Sequence, residues 1–267
     1  MSLNIIVLAK QVPDTRNVGK DAMKEDGTIN RAALPAIFNP EDLNALEQAL
    51  RLKDANPGST VTLLTMGLPR SAEVIREGMY RGADGGIVLT DRALGGADTL
   101  ATSYSLAAAI RKFGNYDIIV CGRQAIDGDT AQVGPQISEH LNIPVISYAQ
   151  DIKIDGDYVI VQRQYEDRYH EVKAKMPCLI TALSELNDPR YMTPGGIFDA
   201  YDKEVTVWGR PDLKDVDDSD LGLKGSPTKI AKASDKVKKG AGEKVVPDTA
   251  EDAVAYIVGK MKEKHVI

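Results

Sequence analysis

The chain has 267 residues, 43% of them apolar, and a formal net charge of −6. A chain of that length buries roughly 70–75% of its unfolded surface on folding, so it needs neither disulfides nor a metal to hold a core. Its two isolated cysteines, Cys121 and Cys178, and three scattered histidines, His140, His170 and His265, give no zinc, iron–sulfur or redox-dithiol spacing.

The opening run MSLNIIVLAKQVPD has no preceding basic region and no small-residue cleavage site, so it does not read as a signal peptide. No stretch approaches the ~18–20 apolar residues that span a bilayer, and a cytoplasmic location without membrane insertion is expected. Residues 5–9 form a buried strand, being aliphatic without alternation. Turn signals at Val12-Pro13-Asp14 and Asp26-Gly27 make residues 11–38 a long loop with room for a small hairpin. Asn39-Pro40-Glu41-Asp42 then opens a helix: Asn39 is a capping residue, Pro40 suits the first helical position, and two acids follow where the helix dipole favours them. Leu43, Leu46, Ala49 and Leu50 give that helix an apolar stripe, and Asn56-Pro57-Gly58 ends it.

The pattern repeats. Strands are expected over 61–66, 87–90 and 118–121, and helices over 71–81, 98–113 and 132–141, with Gly82 as a helix stop. Strands alternating with helices imply right-handed crossovers and a parallel sheet covered on both faces. Residues 150–176 break this rhythm: Asp155-Gly156-Asp157 and Glu166-Asp167 punctuate an antiparallel meander, and 176–183 resembles a last core strand. The expected fold is therefore α/β, a doubly wound, mostly parallel nucleotide-binding sheet of adenine nucleotide α-hydrolase-like type, with an antiparallel excursion and an extended C-terminal arm.

After Ser184, proline and glycine interrupt every candidate element. Between Lys224 and Lys244, seven lysines stand against Asp235 and Glu243, a local +5 that leaves −11 for the rest of the chain. With no arginine or aromatic residue in the run, it reads as a solvated arm rather than a nucleic-acid surface. A helix over 249–262 carries the stripe Val254, Ile257, Val258 and Met261, which has little nearby to cover it. The organisation expected is an α/β domain over 1–185, a loop over 186–203 and an arm over 204–267.

In an open parallel sheet, ligands bind beyond the carboxyl ends of the strands. The most informative segment at that edge is Gly122-Arg123-Gln124-Ala125-Ile126-Asp127-Gly128-Asp129-Thr130-Ala131-Gln132-Val133-Gly134. It follows a strand, enters a helix, and mixes small residues with hydroxyl and amide side chains, as a phosphate or pyrophosphate cradle requires. An ordinary polar connection has the same local features. No G-x-G-x-x-G, G-x-x-x-x-G-K-[ST] or G-x-S-x-G occurs at the required place. Asp127 and Asp129 lack the histidine or further carboxylate that acid–base or magnesium chemistry would need.

Four stretches together identify the chain as resembling the β subunit of electron-transfer flavoprotein over nearly its full length: VLAKQVPDT at 7–15, FNPEDLNALEQALRLK at 38–53, GRQAIDGDTAQVG at 122–134 and LNDPRYMTPGGI at 186–197. The resemblance implies a heterodimer with an α subunit, whose FAD exchanges electrons with acyl-CoA dehydrogenases. It implies a nucleotide site on this chain, holding AMP in respiratory members and a second FAD in the bifurcating members of anaerobes. Carried over by motif, that site comprises Leu8, Ala9, Asn39, Pro40, Glu41, Asp42, Met66, Gly122, Arg123, Gln124, Ala125, Ile126, Asp127, Gly128, Asp129, Thr130, Ala131, Gln132 and Val133. The stretch 184–203 resembles the recognition loop that docks on the dehydrogenase, and the C-terminal arm the segment that packs on the α subunit.

Two departures refine this. AMP-type members commonly read D-D-D-C-N where this chain has Asp127-Gly128-Asp129-Thr130-Ala131. Gly128 removes charge and bulk, and Ala131 removes a polar contact and volume, which favours a larger, apolar-ringed ligand. DGTINR at 26–31 also resembles bifurcating members. The resemblance thus implies FAD in this site, reduced by hydride from NADH. One electron would pass through the α-subunit FAD to an acyl-CoA dehydrogenase and the other to ferredoxin or flavodoxin. Arg123 near the flavin would stabilise its reduced anion, unless it contacts pyrophosphate or a surface carboxylate instead. The second departure is Pro194-Gly195-Gly196, which stands where respiratory members place a leucine after R-Y-x-T. Two alternatives remain: an AMP-binding structural subunit of a single-FAD carrier, and a non-redox nucleotide-binding sensor.

Overall fold

A computed structural model describes residues 1–14, 35–228 and 242–267. The strands are β1 (Asn4–Leu8), β2 (Gln11–Pro13), β3 (Ala36–Phe38), β4 (Thr60–Met66), β5 (Gly85–Leu89), β6 (Ile118–Gly122), β7 (Val145–Asp155), β8 (Tyr158–Tyr165), β9 (Arg168–Lys175), β10 (Cys178–Ala182) and β11 (Thr206–Trp208). The α-helices are α1 (Pro40–Ala55), α2 (Ala72–Tyr80), α3 (Thr99–Phe113), α4 (Val133–Leu141), α5 (Pro194–Ala200) and α6 (Ala250–Glu263). Among the described residues, nine strands form one sheet in the order β11-β5-β4-β1-β6-β10-β7-β8-β9. From β11 to β7 the pairing is parallel; β7, β8 and β9 are antiparallel.

The period-2 geometry of the central strands divides the core between two faces. Ile5 and Val7 of β1 join Leu63, Leu46 and Leu50 on the face covered by α1 and α2. Ile6 and Leu8 join Ile119, Leu106 and Ile137 on the face covered by α3 and α4. A strand apolar on both faces cannot sit at a solvated edge, and β1 is accordingly central. The chain runs outward from β1 through β4 and β5, then returns to the other side of β1 with β6. That reversal makes a crevice beyond the carboxyl ends of β1 and β6.

Several sequence expectations change in the fold. The strand β7 begins at Val145, earlier than the expected meander. Its first half pairs in parallel with β10 and its second half antiparallel with β8, with the ladder irregular between Ala149 and Asp151. Tyr148 has φ 63°, so the strand bends there, which lets one strand serve both kinds of pairing. Proline and glycine do not end regular structure after residue 184. Pro194 opens α5 at its first position, and Thr193 accepts a hydrogen bond from Gly196 N at 3.0 Å as its cap.

The strand β11 completes the sheet against β5, and Leu213 and Leu221 are buried in the α3–α4 face. Residues 204–228 thus belong to the α/β unit, and the expected division after residue 185 is not a structural boundary. The compact units are Met1–Lys232 and Ala233–Ile267. Within the second, Thr249 caps α6, and Val254 and Ile257 are exposed while Val258 and Met261 are half-buried. At the two ends of the expected loop 11–38, β2 and β3 pair antiparallel. The stretch DGTINR at 26–31 and most of the lysine run lie outside the described residues.

Candidate functional site

The loop 122–133 leaves β6 at the crevice and ends in α4. What fixes its path is the first turn of α1. Asp42 Oδ1 accepts from Gly122 N and Oδ2 from Lys10 N, both at 2.9 Å, so one carboxylate joins the carboxyl ends of the two strands that flank the crevice. Glu41 Oε2 accepts from Gln124 N at 3.0 Å, and its Oε1 pairs with Arg123 at 2.8 Å. Asn39 stands at the N-cap, but its side chain does not cap the helix. It donates to Gln124 O at 2.9 Å and accepts from Ile126 N at 3.1 Å, mimicking a missing strand neighbour. The expected capping role of Asn39 is therefore replaced by loop anchoring, because the loop's backbone groups lie within its reach.

Gly122 is required at this junction. A Cβ there would lie 2.6 Å from Asp42 Oδ1 and 2.8 Å from the Glu41 carbonyl carbon. Gly134 lets the first turn of α4 approach the sheet, since a Cβ would meet Cys121 Sγ at 2.9 Å. Burial pushes Asp42 up to about 7, against the opposing pull of its hydrogen-bond donors and Lys10. Burial likewise raises Glu41, against hydrogen bonding from Gln124 and the Arg123 charge. The same burial holds the Cys121 thiol protonated and unreactive.

Beyond Ile126 the loop turns outward. Gly128 N and Asp129 N donate to Ala125 O, closing a helical turn, while Asp129 and Ala131 take φ of 48° and 52°. Asp127 pairs with Lys10 at 2.7 Å, and Asp129 accepts from Gln124 Nε2 at 3.1 Å. Gly128, Asp129, Thr130 and Gln132 are exposed, and no atom lies within 4 Å of the position of a Gly128 Cβ. Among the described residues, no group of three or more histidine, cysteine or carboxylate side chains converges as a metal site would require.

The structure thus brings Asn39, Glu41, Asp42 and Gly122–Asp129 into one hydrogen-bonded assembly. Leu8 and Ala9 close the crevice floor as buried residues at the end of β1. Met66 lies to the side of it, in a cleft of about 110 Å³ at the ends of β1 and β4 that Lys10, Gln11 and Arg70 also line. That volume is well below the roughly 300–1,000 Å³ of ordinary ligand pockets. In the sequence Lys10 stands only within the motif VLAKQVPDT; its ion pair spans 117 positions and has no local signal.

A second assembly hangs on the same helix. Asn44 Nδ2 donates to Asn187 O at 2.6 Å, and Asn187 Nδ2 returns a bond to Asn44 O at 3.0 Å. Glu47 holds Arg190. The segment thus held leads to Tyr191, Met192, Phe198 and Tyr201, all exposed, with Tyr191 at 90% and Phe198 at 80%.

The electron transfer flavoprotein domain model matches residues 26–213. The electron transfer flavoprotein subunit beta of Clostridium acetobutylicum is 52% identical over 265 residues, covering 99% of this chain and 100% of that protein. The chain belongs to the electron transfer flavoprotein β-subunit family. The caffeyl-CoA reductase–Etf complex subunit CarD of Acetobacterium woodii is 48% identical over 265 residues, covering 99% and 100% of the two chains. The acryloyl-CoA reductase electron transfer subunit gamma of Anaerotignum propionicum is also 48% identical, over 271 residues with the same coverage. An electron-transfer role follows from family membership, and the loop 122–133 lies within the matched domain. Among the described residues, no helix is long and apolar enough to cross a membrane.

Proposed function

We propose that this chain binds FAD along residues 122–133 and, joined to an α subunit, transfers electrons from NADH to an acyl-CoA dehydrogenase and to ferredoxin or flavodoxin. The observation that carries the choice of FAD is the open space at Gly128 beside a left-handed Ala131, where the loop presents backbone and small side chains. A glycine and an alanine leave room for a larger, less polar ligand than the acidic, amide-bearing loop of AMP-type members would. Bound FAD would supply the chemistry, accepting a hydride and releasing electrons singly.

The chain's own residues hold and orient the nucleotide. The helix start at Gln132–Gly134 and the preceding Thr130 and Ala131 would offer backbone N–H groups to a pyrophosphate, those of Gly128 and Asp129 being held by Ala125 O. Asn39, Glu41 and Asp42 fix the loop behind it without spending side-chain bonds on the ligand. Arg123 is neutralised by Glu41 at 2.8 Å, so its effect on an anionic ring would be that of a paired group. Names of relatives support an acyl-CoA partner, since two of them are subunits of caffeyl-CoA and acryloyl-CoA reductase complexes. Residues 184–203, with their exposed Tyr191, Phe198 and Tyr201, are the surface that would dock it. The lysine-rich arm and α6 would pack on the α subunit through the Val254 and Ile257 side of that helix.

The test is to co-express the chain with its α subunit, denature the complex, and quantify FAD and AMP per heterodimer by chromatography. Two FAD and no AMP, with bleaching of the flavin by NADH, is the expected result. One FAD and one AMP would overturn the proposal and make this chain the structural half of a single-flavin carrier. A complex without flavin colour would leave the sensor alternative.

A further inference from the structure

Helix α1 and its N-cap carry six buried polar residues: Asn39, Glu41 and Asp42 hold the nucleotide loop, while Asn44, Glu47 and Gln48 face residues 184–190. Glu47 is 4% exposed, yet its carboxylate collects four donors. Oε2 accepts from Arg190 N at 3.1 Å and from Arg190 Nε at 2.8 Å. Oε1 accepts from Arg190 at 3.3 Å and from Arg51 Nε at 2.8 Å. Arg190 also pairs with Asp54 at 2.9 Å, and its carbonyl accepts from Arg81. Burial opposes ionisation of Glu47, but the Arg190 and Arg51 bonds outweigh it and hold the carboxyl below its ordinary range.

Residues 187–193 belong to no helix or strand, so no backbone ladder fixes them. A segment without such a ladder keeps many conformations unless side chains remove them. At Asn187 the Asn44 pair does this, and at Arg190 the Glu47 carboxylate grips both the main chain and the guanidinium, with Asp54 and Arg81 adding one contact each. The next residues, Tyr191 and Met192, are then held outward at 90% and 41% exposure.

We propose that Glu47 is the positioning residue for partner docking: by fixing Arg190 it presents Tyr191 and Met192 to an acyl-CoA dehydrogenase. This rests on the docking role proposed above for residues 184–203. Within residues 184–203 Glu47 hydrogen-bonds to Arg190 and not to the exposed Tyr191 or Met192, so it acts on them through Arg190.

The experiment uses the complex with the α subunit, carrying Glu47→Gln, Glu47→Asp or Arg190→Met. The acceptor is the acyl-CoA dehydrogenase of the source organism that the unaltered complex reduces. Hydrogen exchange in the peptide 186–193 should accelerate at least tenfold in Glu47→Gln, while that in 118–133 stays as it is. KM for the dehydrogenase should rise at least fivefold with kcat within twofold and nucleotide content unchanged; Glu47→Asp should recover part of the loss. Arg190→Met leaves Glu47 paired with Arg51, so it reports on the loop even if Glu47→Gln misfolds, and it should show the same exchange and KM changes. Unchanged exchange in both altered loops would overturn the anchoring role. Faster exchange with unchanged KM would show an anchored loop that does not dock, and would overturn the proposal. If no dehydrogenase accepts electrons from the unaltered complex, the docking role itself fails, while the flavin content tested above still stands or falls separately.

Discussion

Replacing Asp42 by asparagine isolates the contact that joins the two strand ends at the crevice. The carboxylate accepts one backbone N–H on each oxygen, from Gly122 and Lys10, both at 2.9 Å. An asparagine can accept only one of them, and its NH2 would face the other donor. The lost bond and the unsatisfied N–H cost about 1–3 kcal/mol. Opposing this, the native carboxyl titrates at about 7 when folded against an unfolded value of 3.8, because its burial penalises the charge. The folded value lies above the unfolded one, so stability is full below pH 3.8 and declines as pH rises towards 7. Each unit is worth about 1.4 kcal/mol, giving a total of about 4 kcal/mol. Asparagine has no such slope. Between pH 5.5 and pH 8 the stability gap between the two proteins should therefore shift by about 2 kcal/mol, making the substitution less damaging at the higher pH. For a folding unit of 150–250 residues this is roughly 4–8 °C of differential thermal shift, and less for the larger complex. Other titrating groups are common to both proteins and cancel. A gap independent of pH would refute the reasoning and show that the two N–H donors and Lys10 keep Asp42 ionised throughout.

Gly122→Ala should destabilise by about 1–3 kcal/mol through overpacking against Asp42 and the Glu41 backbone, and should lower nucleotide content after purification. Ala131→Asn should do the reverse to the fold: at φ 52° asparagine is tolerated better than alanine, so Tm should rise by roughly 1–4 °C. Combined with Gly128→Asp, whose Cβ would meet no atom within 4 Å, it should shift the bound nucleotide from FAD towards AMP, read by chromatography. Phe198→Ala removes an 80%-exposed ring, so Tm should stay within the scatter of repeated scans while the rate of dehydrogenase reduction falls roughly tenfold.

The sheet and its order of elements were written in local pattern. The uninterrupted apolar run at Ile5–Leu8 requires cover on both faces, and the Pro40 start and Gly82 stop obey rules that act within one turn of chain. Where the amphipathic period was strong, boundaries moved by only a residue or two, as in α2 and α4. The family motifs also located the loop 122–134, since a strand, a small-residue turn and a helix start are adjacent in sequence. Local pattern failed where a residue's partner lay far along the chain. Pro194 and Gly195-Gly196 looked like breakers, yet Pro194 is the first residue of α5, and Gly196 fits where a Cβ would come 2.4 Å from the Tyr80 carbonyl oxygen. The sequence placed β11 in an arm because three residues carry no periodicity; only the free edge of β5 made them a strand.

The amino-acid sequence by itself determined the α/β class, the family and which loop faces the crevice, because each rests on residues close together in the chain. Tertiary structure alone decided what the polar side chains of α1 do. Asn39 could have capped its own helix and Glu41 and Asp42 could have faced water; instead folding brought the backbone of residues 122–126 within 3.1 Å of all three. Buried carboxylates and amides need partners more urgently than exposed ones, and those partners lay some 80 residues away, beyond the reach of any local rule.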